Sequence, residues 1–307
     1  MASEAAVEVT GLVKRYGERT AVAGLDLTVR HGTVTAVLGP NGAGKTTTLE
    51  ICEGYRRADG GTVRVLGRDP AVDAAALRPR VGVMLQSGGV YPGARVGELL
   101  RHFARLHAHP LDPAALADRL GLASSARTPV RRLSGGQQRR LALALAVVGR
   151  PELVFLDEPT AGLDPQARHA TWDLVRELRA DGVTVVLTTH AMDEAERLAD
   201  EVAVVDAGRT LVQDSPAALC RDGENTLRFA GRPGLDLDTL RKALPEGTEV
   251  TELAPGSYRV TGDVGPELLA TVGSWCAQHG VLPDRITVTR RTLEDVFLEL
   301  TGKELRS

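Results

Sequence analysis

Apolar and polar positions follow two alternating patterns over the first two thirds of the chain. Continuous apolar runs, typical of strands buried on both faces, occur at 33–38, 81–85, 153–157, 183–189 and 201–206. Apolar residues at helical spacing lie between several of these runs, at 45–53, 166–180 and 192–199. This alternation predicts an α/β fold in which a mostly parallel sheet carries helices on its outside.

Residues 95–150 have a different pattern from the rest of this part of the chain. Here apolar residues recur at helical spacing without intervening strand-like runs, at 96–107, 113–120 and 139–148. We therefore expect a helical insert at about 95–150 within one large domain at 1–220.

The pattern changes again after about residue 221. Short strand-like runs now alternate with helical stretches, with strands at 226–229, 258–261 and 286–289 and helices at 237–244 and 267–278. An amphipathic helix is expected at 293–300, close to the end of the chain. These elements predict a small α+β domain at 221–307.

A glycine-rich turn lies between the first apolar run and the helix after it. Residues 39–46 read Gly-Pro-Asn-Gly-Ala-Gly-Lys-Thr and match the phosphate-binding pattern G-x-x-x-x-G-K-[ST] at every specified position. In this pattern backbone N–H groups surround phosphate oxygens, Lys45 contacts the β and γ phosphates, and the Thr46 hydroxyl ligates Mg²⁺. A glycine turn that binds nothing is the alternative, and the flanking strand and helix disfavour it.

A second candidate phosphate site is the sequence Leu-Ser-Gly-Gly-Gln at 133–137. Ser134 and Gln137 have the spacing of a capping box ahead of an apolar helix, which is a purely structural explanation. A capped helix N-terminus is also an anion site, however, so the two explanations describe the same atoms.

Two acidic residues end the apolar run at 153–157. Asp157 is its last residue and Glu158 follows directly. The carboxyl ends of parallel strands are where ligands bind in open α/β sheets. Adjacent acids at this position favour a bound cation over the alternative of a salt-bridged pair.

In this order, the motifs resemble those of the ATP-binding cassette (ABC) ATPase family. The resemblance implies an α/β P-loop NTPase cassette with a helical insert, followed here by the small α+β domain. It also implies that Asp157 holds Mg²⁺, that Glu158 is the general base acting on the attacking water, and that His190 contacts the γ phosphate. A histidine after a strand is otherwise an ordinary loop residue.

Three further residues match the family by position. Gln86 would reach Mg²⁺ and water from a loop that faces a membrane subunit, Tyr16 would stack on adenine, and Asp164 would lie in the loop that reaches the partner's site. The ordinary alternatives are an exposed glutamine, a tyrosine packed on the sheet, and a helix N-cap before Pro165.

These matches give a full set of candidate site residues. The expected catalytic residues are Glu158, His190 and Gln86, and the expected Mg²⁺ ligands are Thr46, Gln86 and Asp157. The expected ATP-binding residues are Tyr16, Gly39, Pro40, Asn41, Gly42, Ala43, Gly44, Lys45, Thr46, Thr47, Ser134, Gly135, Gly136, Gln137 and Asp164.

The two phosphate motifs belong on opposite sides of one nucleotide. In the family, two cassettes pack head to tail, so that ATP lies between the P-loop of one copy and the Ser-Gly-Gly turn of the other. We therefore expect a homodimer with two identical sites, in which water attacks the γ phosphate in line.

Composition narrows the possible partners and compartment. The chain has 307 residues and a net charge of -3, which gives no electrostatic case for nucleic-acid binding. Its three cysteines, Cys52, Cys220 and Cys276, have no metal spacing and fit a reducing compartment. No stretch approaches the about 18 consecutive apolar residues needed to span a bilayer, and residues 1–8 lack a secretion-signal pattern.

We therefore expect a cytoplasmic protein that is held on the inner face of the cell membrane by a separate permease. Residues 225–305 resemble the C-terminal extension of cassettes from drug, antibiotic, lipid or polysaccharide exporters, although a generic dimerisation or regulatory domain is an alternative. A second hypothesis is a soluble ABC ATPase that acts on ribosomes, but such proteins resemble two cassettes in one chain. A third, an ATPase of chromosome maintenance or DNA repair, would need a long heptad insert or zinc-ligand cysteines.

Overall fold

The computed structural model describes residues 5–84, 91–221, 225–262, 264–289 and 291–302. They divide into a large unit that reaches Pro216 and also includes the described residues from Leu300 on, and a small unit at Ala217–Glu299. The strands are β1 (Ala5–Tyr16), β2 (Arg19–Arg30), β3 (Val34–Leu38), β4 (Gly60–Val65), β5 (Val81–Met84), β6 (Leu153–Asp157), β7 (Thr184–Thr189), β8 (Glu201–Asp206), β9 (Arg209–Asp214), β10 (Asn225–Ala230), β11 (Glu249–Ala254), β12 (Ser257–Gly262) and β13 (Arg285–Thr289). The α-helices are α1 (Lys45–Cys52), α2 (Ala74–Leu77), α3 (Val96–Ala104), α4 (Pro113–Arg119), α5 (Gly135–Val147), α6 (Pro165–Ala180), α7 (Met192–Leu198), α8 (Pro216–Leu219), α9 (Leu237–Ala243), α10 (Pro266–Gln278) and α11 (Leu293–Thr301).

The centre of the large unit is a six-stranded sheet in the order β5-β6-β7-β3-β8-β9. All neighbouring strands pair in parallel except β9, which pairs antiparallel with β8 at the edge. Every residue of β3, β6 and β7 is buried, which explains why these strands read as unbroken apolar runs in the sequence. The predicted α/β class with a mostly parallel sheet is confirmed.

A separate three-stranded antiparallel sheet, in the order β2-β1-β4, packs on this core. Its strands β1 and β2 have 12 residues each. Their pairing contains register shifts, for example between Val9 and Leu12. Each shift breaks the alternation of apolar and polar positions, so the sequence hides the length of these strands.

The helical insert contains α3, α4 and α5, and one predicted boundary is wrong by a full turn. Helix α5 begins at Gly135 instead of 139, directly after its N-cap Ser134. The turn at 135–138 carries glycines and glutamines, so it lacks the apolar periodicity on which the prediction depended. Helix α3 ends at Ala104 instead of 107.

The small unit places two helices on one face of an antiparallel sheet. The sheet has the order β11-β12-β10-β13. Apolar side chains of its strands, including Phe229 and Tyr258, share one core with Leu240 of α9 and Trp275 of α10. Strand β11 was not predicted, because Val250 is its only buried residue.

A buried carboxyl group joins two helices on the outside of the large sheet. Glu194 of α7 is fully buried, and its Oε1 accepts a hydrogen bond of 3.0 Å from Trp172 Nε1 of α6. Burial raises the pKa of Glu194, while hydrogen bonds from Thr189, Thr160 and Trp172 act in the opposite direction. The folded chain therefore keeps this carboxyl group protonated up to a higher pH than the unfolded chain does.

We predict that Glu194→Gln makes stability less sensitive to rising pH. Because the pKa of Glu194 is higher in the folded than in the unfolded chain, its contribution is present below about pH 4.3 and is lost as the pH rises through the raised value. Glutamine retains an oxygen for Trp172 but does not ionise. In urea titrations followed by circular dichroism, the variant should lose less stability than the parent between mildly acidic and mildly alkaline pH.

Glu152→Gln is the control of opposite sign for this prediction. Both carboxylate oxygens of Glu152 accept hydrogen bonds of 2.7 Å from Arg80, which lowers the pKa of Glu152. Stability from this group is lost as the pH falls through that lowered pKa, so its glutamine variant should lose stability at neutral pH. An unchanged pH dependence in Glu194→Gln would contradict the role given to its carboxyl group.

Candidate nucleotide site

The glycine-rich turn begins at the end of β3 and closes at the first residue of α1. Gly44 is the N-cap of α1 and has φ 101, a conformation that side chains rarely allow. A Cβ on Gly39 would lie 2.2 Å from the carbonyl oxygen of Val205, and a Cβ on Gly44 would lie 2.6 Å from that of Ala21. Both positions therefore require glycine because neighbouring backbone is too close for a side chain.

Lys45 lies inside this turn and is only 6% exposed. Its Nζ donates hydrogen bonds of 2.6 Å to the Gly39 carbonyl and 3.1 Å to the Pro40 carbonyl. Burial lowers the pKa of Lys45, while the charges of Glu158 and Asp157 act to raise it. The lysine thus brings its amino group to the same region as the two acids.

Asp157 is the last residue of β6 and is nearly buried, with 6% exposure. Its Oδ2 accepts a hydrogen bond of 3.3 Å from the Thr46 hydroxyl, and its Oδ1 accepts one from the Thr188 hydroxyl of β7. A carboxylate oxygen and a hydroxyl oxygen so close together are the hard oxygen donors that Mg²⁺ prefers. The donor set of Thr46 and Asp157 therefore fits this cation.

Glu158 leaves the strand in an unusual conformation. Its φ is 50, in the left-handed region, which costs a residue other than glycine about 1–3 kcal/mol. Its N–H donates to the Thr188 hydroxyl at 3.0 Å and to the Thr188 carbonyl at 3.1 Å, which stabilises this bend. The Oε1 of Glu158 lies 2.5 Å from Nε2 of His190, so two of the predicted catalytic side chains are in contact.

A cleft of about 410 Å³ opens in front of these groups. Its lining brings together predicted residues from three parts of the chain, namely Tyr16, the turn residues 41–47 and Glu158. Tyr16 is 41% exposed, and its ring has the cations of Lys14 and Arg56 at 5.6 and 5.5 Å from its centre. The ring is therefore available at the mouth of the cleft in a positively charged setting.

The Ser-Gly-Gly turn does not line this cleft. Ser134 Oγ accepts a hydrogen bond of 3.2 Å from the N–H of Gln137, and Gln137 Oε1 accepts one of 3.0 Å from the N–H of Ser134. The predicted capping box is thus confirmed. The first turn of α5 also lies against the loop before α6, since a Cβ on Gly136 would be 3.2 Å from Leu163 Cδ2.

Asp164, another predicted residue, is not among the residues that line the cleft. Asp164 is the N-cap of α6, where its Oδ1 accepts a hydrogen bond of 2.9 Å from the N–H of Ala167. This confirms the structural role that the sequence left open beside the functional one. Gln86 lies outside the described residues.

Sequence reasoning missed three residues around the acids. Arg19 lines the cleft, Thr188 binds both Asp157 and Glu158, and Arg139 of α5 donates a hydrogen bond of 2.7 Å to the Glu158 carbonyl. Thr188 carries a signal in the sequence, since a hydroxyl in a fully buried strand needs a polar partner. Arg19 and Arg139 carry no such signal in the sequence, because the residues near them in the structure are distant along the chain.

Comparison with known proteins identifies the family of this chain. The family model described as ABC transporter matches residues 22–161. The chain is 41% identical to a Nod factor export ATP-binding protein I of Ralstonia nicotianae, over 98% of this chain and 95% of that protein. It is 39% identical to the daunorubicin resistance ATP-binding protein DrrA3 of Streptomyces coeruleorubidus, over 99% of this chain and 98% of that protein.

Among solved structures, the chain is similar to the ATP-binding subunit of an ABC transporter. That similarity has a TM-score of 0.64 and 26% identity, and it covers 70% of this chain and 92% of the other. The predicted family, fold and exporter-type ATPase function are thus confirmed. Because relatives with this level of identity cover nearly the whole chain, the chain belongs to the ABC transporter family and is an ATPase subunit of its exporter type.

Proposed function

We propose that two copies of this chain bind MgATP head to tail and that hydrolysis drives export through a separate membrane permease. The observation that carries this proposal is the division of the phosphate-binding groups. Lys45, Tyr16 and Glu158 converge on one cleft, whereas the Ser134 turn lies outside it. A second copy that brings its Ser134, Gly135 and Gly136 to this cleft would complete the site.

Each side chain in the cleft has a distinct task in this proposal. Tyr16 stacks on the adenine, the N–H groups of residues 41–47 bind the phosphates, and Lys45 neutralises charge on the β and γ phosphates. Thr46 and Asp157 hold Mg²⁺, with Gln86 as a further ligand, and the cation neutralises phosphate charge when it is bound. Asp164 contributes to the site of the other copy.

The chemical step depends on Glu158. Its carboxylate accepts a proton from the water that attacks the γ phosphate, and the 2.5 Å contact with His190 holds the carboxylate in place. His190 also contacts the γ phosphate, so it links the base to the phosphoryl group that the water attacks, while the bond from the γ phosphorus to the bridging oxygen breaks and ADP leaves. Catalysis then consists mostly of positioning and charge neutralisation.

A second groove in the large unit provides a docking surface for the permease. It has a volume of about 410 Å³ and is lined in part by β5, the strand that precedes Gln86 in the sequence. Its rim carries the exposed side chains of Tyr55 and Leu106, at 61% and 66% exposure. Glu53 and Arg78 also line it, and burial raises the pKa of Glu53 to about 8. An amphipathic helix of a membrane protein would place its apolar face in such a groove.

The membrane partner and the direction of transport have separate support. No helix among the described residues combines the length and the apolar composition needed to cross a membrane. Relatives over the whole chain are named for Nod factor export and daunorubicin resistance, which favours export. We propose a cytoplasmic protein on the inner face of the membrane, with a catalytic domain at 1–220 and an accessory domain at 221–307.

We predict that Glu158→Gln lowers the ATPase rate by about 10²–10⁴-fold, the usual contribution of a general base. Nucleotide binding should remain, because Lys45 and the turn are unchanged. Without hydrolysis, ATP should hold two copies together, so size-exclusion chromatography with light scattering should show a stable dimer only when ATP is present.

Glu196→Gln is a matched control on α7, where Glu196 is exposed, and it should retain the parental rate. Rapid turnover by Glu158→Gln would remove Glu158 from the role of base.

We further predict that Ser134→Asp abolishes turnover without loss of nucleotide binding to the single copy. Aspartate caps a helix as well as serine does, so α5 is retained, but its charge repels the phosphate of the opposite site. Ser134→Arg should have the same effect on turnover. Fluorescent-nucleotide titration and ATPase assays separate the two properties.

Ser124→Asp adds the same charge at an exposed position of the insert and should leave turnover intact. Equal loss of nucleotide binding in Ser134→Asp would indicate a folding defect rather than a role in the partner's site.

Co-purification tests the transport proposal as a whole. Tagged Glu158→Gln is expressed in the source cells, membranes are solubilised in mild detergent with ATP, and the captured proteins are identified. Recovery of a protein with several spanning helices is the expected result. Recovery with ribosomes or other soluble complexes alone would overturn the transporter proposal.

A further inference from the structure

Arg139 connects the Ser-Gly-Gly helix to the backbone of Glu158 within one chain. It lies on the second turn of α5, and its Nη1 donates a hydrogen bond of 2.7 Å to the Glu158 carbonyl oxygen. The side chain is partly buried. A charge-assisted bond of this length is among the stronger hydrogen bonds in proteins. A cation from the insert is therefore fixed to the peptide unit that follows the base.

The peptide unit before Glu158 is held by a different element. There the N–H of Glu158 donates to the Thr188 hydroxyl and to the Thr188 carbonyl of β7. Glu158 itself has φ 50, so its carboxylate direction depends on a backbone conformation that is unfavourable alone. Strand β7 fixes one side of this bend, and Arg139 fixes the other together with the N–H of Ala161, which donates to the same Glu158 carbonyl at 3.3 Å.

Helix α5 also contacts the chain beyond Glu158. Gly136 lies against Leu163, in the loop that ends at the N-cap Asp164. Ser134 and Arg139 are on the same continuous helix, one at its cap and the other on its second turn. A shift of the Ser134 turn is therefore transmitted to Arg139, because a short capped helix moves as a rigid body.

We propose that Arg139 is a positioning residue for Glu158. When the nucleotide in the partner's site binds the Ser134 turn, Arg139 transmits this contact to the Glu158 carboxylate of the same chain and so orients the base. The proposal rests on the head-to-tail dimer proposed above. In each chain, Arg139 would then link two ATP molecules. One lies in the partner's site and contacts Ser134, and the other lies in the chain's own site and is hydrolysed with Glu158 as the base.

Arg139→Met tests this role because methionine fills similar space without a donor. We expect kcat to fall by about 10²-fold, the cost of a misplaced catalytic group, with KM for ATP within about twofold of the parent. Arg139→Lys, which retains the cation and one donor group, should restore part of kcat. Thermal melting of both variants checks that they fold.

Arg140→Met is the matched control on the same helix. Arg140 also donates a guanidinium hydrogen bond to a backbone carbonyl, that of Leu120, at 2.8 Å, but this partner is in the insert. Its kcat should remain near the parental value. If Arg139→Met and Arg140→Met have the same kcat, Arg139 does not position the base.

The double variant Glu158→Gln with Arg139→Met separates positioning from support of the Ser134 turn. Glu158→Gln removes the need for an oriented base, so the double variant should still form an ATP-dependent dimer. Loss of that dimer only in the double variant would show that Arg139 supports the turn and would overturn the proposal. Failure of Glu158→Gln alone to dimerise would instead refute the dimer, and the comparison of kcat between Arg139→Met and Arg140→Met would still test Arg139.

Discussion

Two consecutive carboxylates must reach the same edge of one sheet, and much of the large unit follows from that constraint. Successive side chains of a strand point to opposite faces, so a continued strand would direct Asp157 and Glu158 away from each other. The chain instead leaves strand geometry at Glu158, where φ is 50. One hydroxyl, that of Thr188, donates to Asp157 and accepts from the N–H of Glu158, and so stabilises both the acid and the bend.

The strand order follows from the same requirement. In the pairing of β6 with β7, Asp157 lies beside Thr188, and in the pairing of β3 with β7, Leu38 lies beside Thr189. The acids, the histidine and the glycine-rich turn therefore leave the sheet at the carboxyl ends of three adjacent strands. Because parallel strands all end at one edge, this order creates a polar site on an entirely buried scaffold.

The sequence predicted the parts of this arrangement that are local. The glycine turn, the acid pair and the buried strands each carry their signal in neighbouring residues, and the capping box of Ser134 and Gln137 does too. Features that depend on distant partners were not predicted, such as the bend at Glu158 and the contact of Arg139 with its carbonyl. The long strands β1 and β2 were hidden because register shifts interrupt their alternation.

The same reasoning supports the proposal that one chain forms only half of a site. A helix leaves its first N–H groups without intrahelical acceptors. In the capping box of α5, the Ser134 side chain accepts a hydrogen bond from the N–H group of Gln137. The N–H groups of Gly135 and Gly136 come before the helix's own hydrogen bonds begin. Neither glycine has a side chain that would shield these N–H groups. Phosphate oxygens are good acceptors for these N–H groups. The Ser134 turn, however, does not line the cleft of its own chain. An ATP shared between two copies would then hold them together as long as its γ phosphate remains, so that hydrolysis weakens the contact.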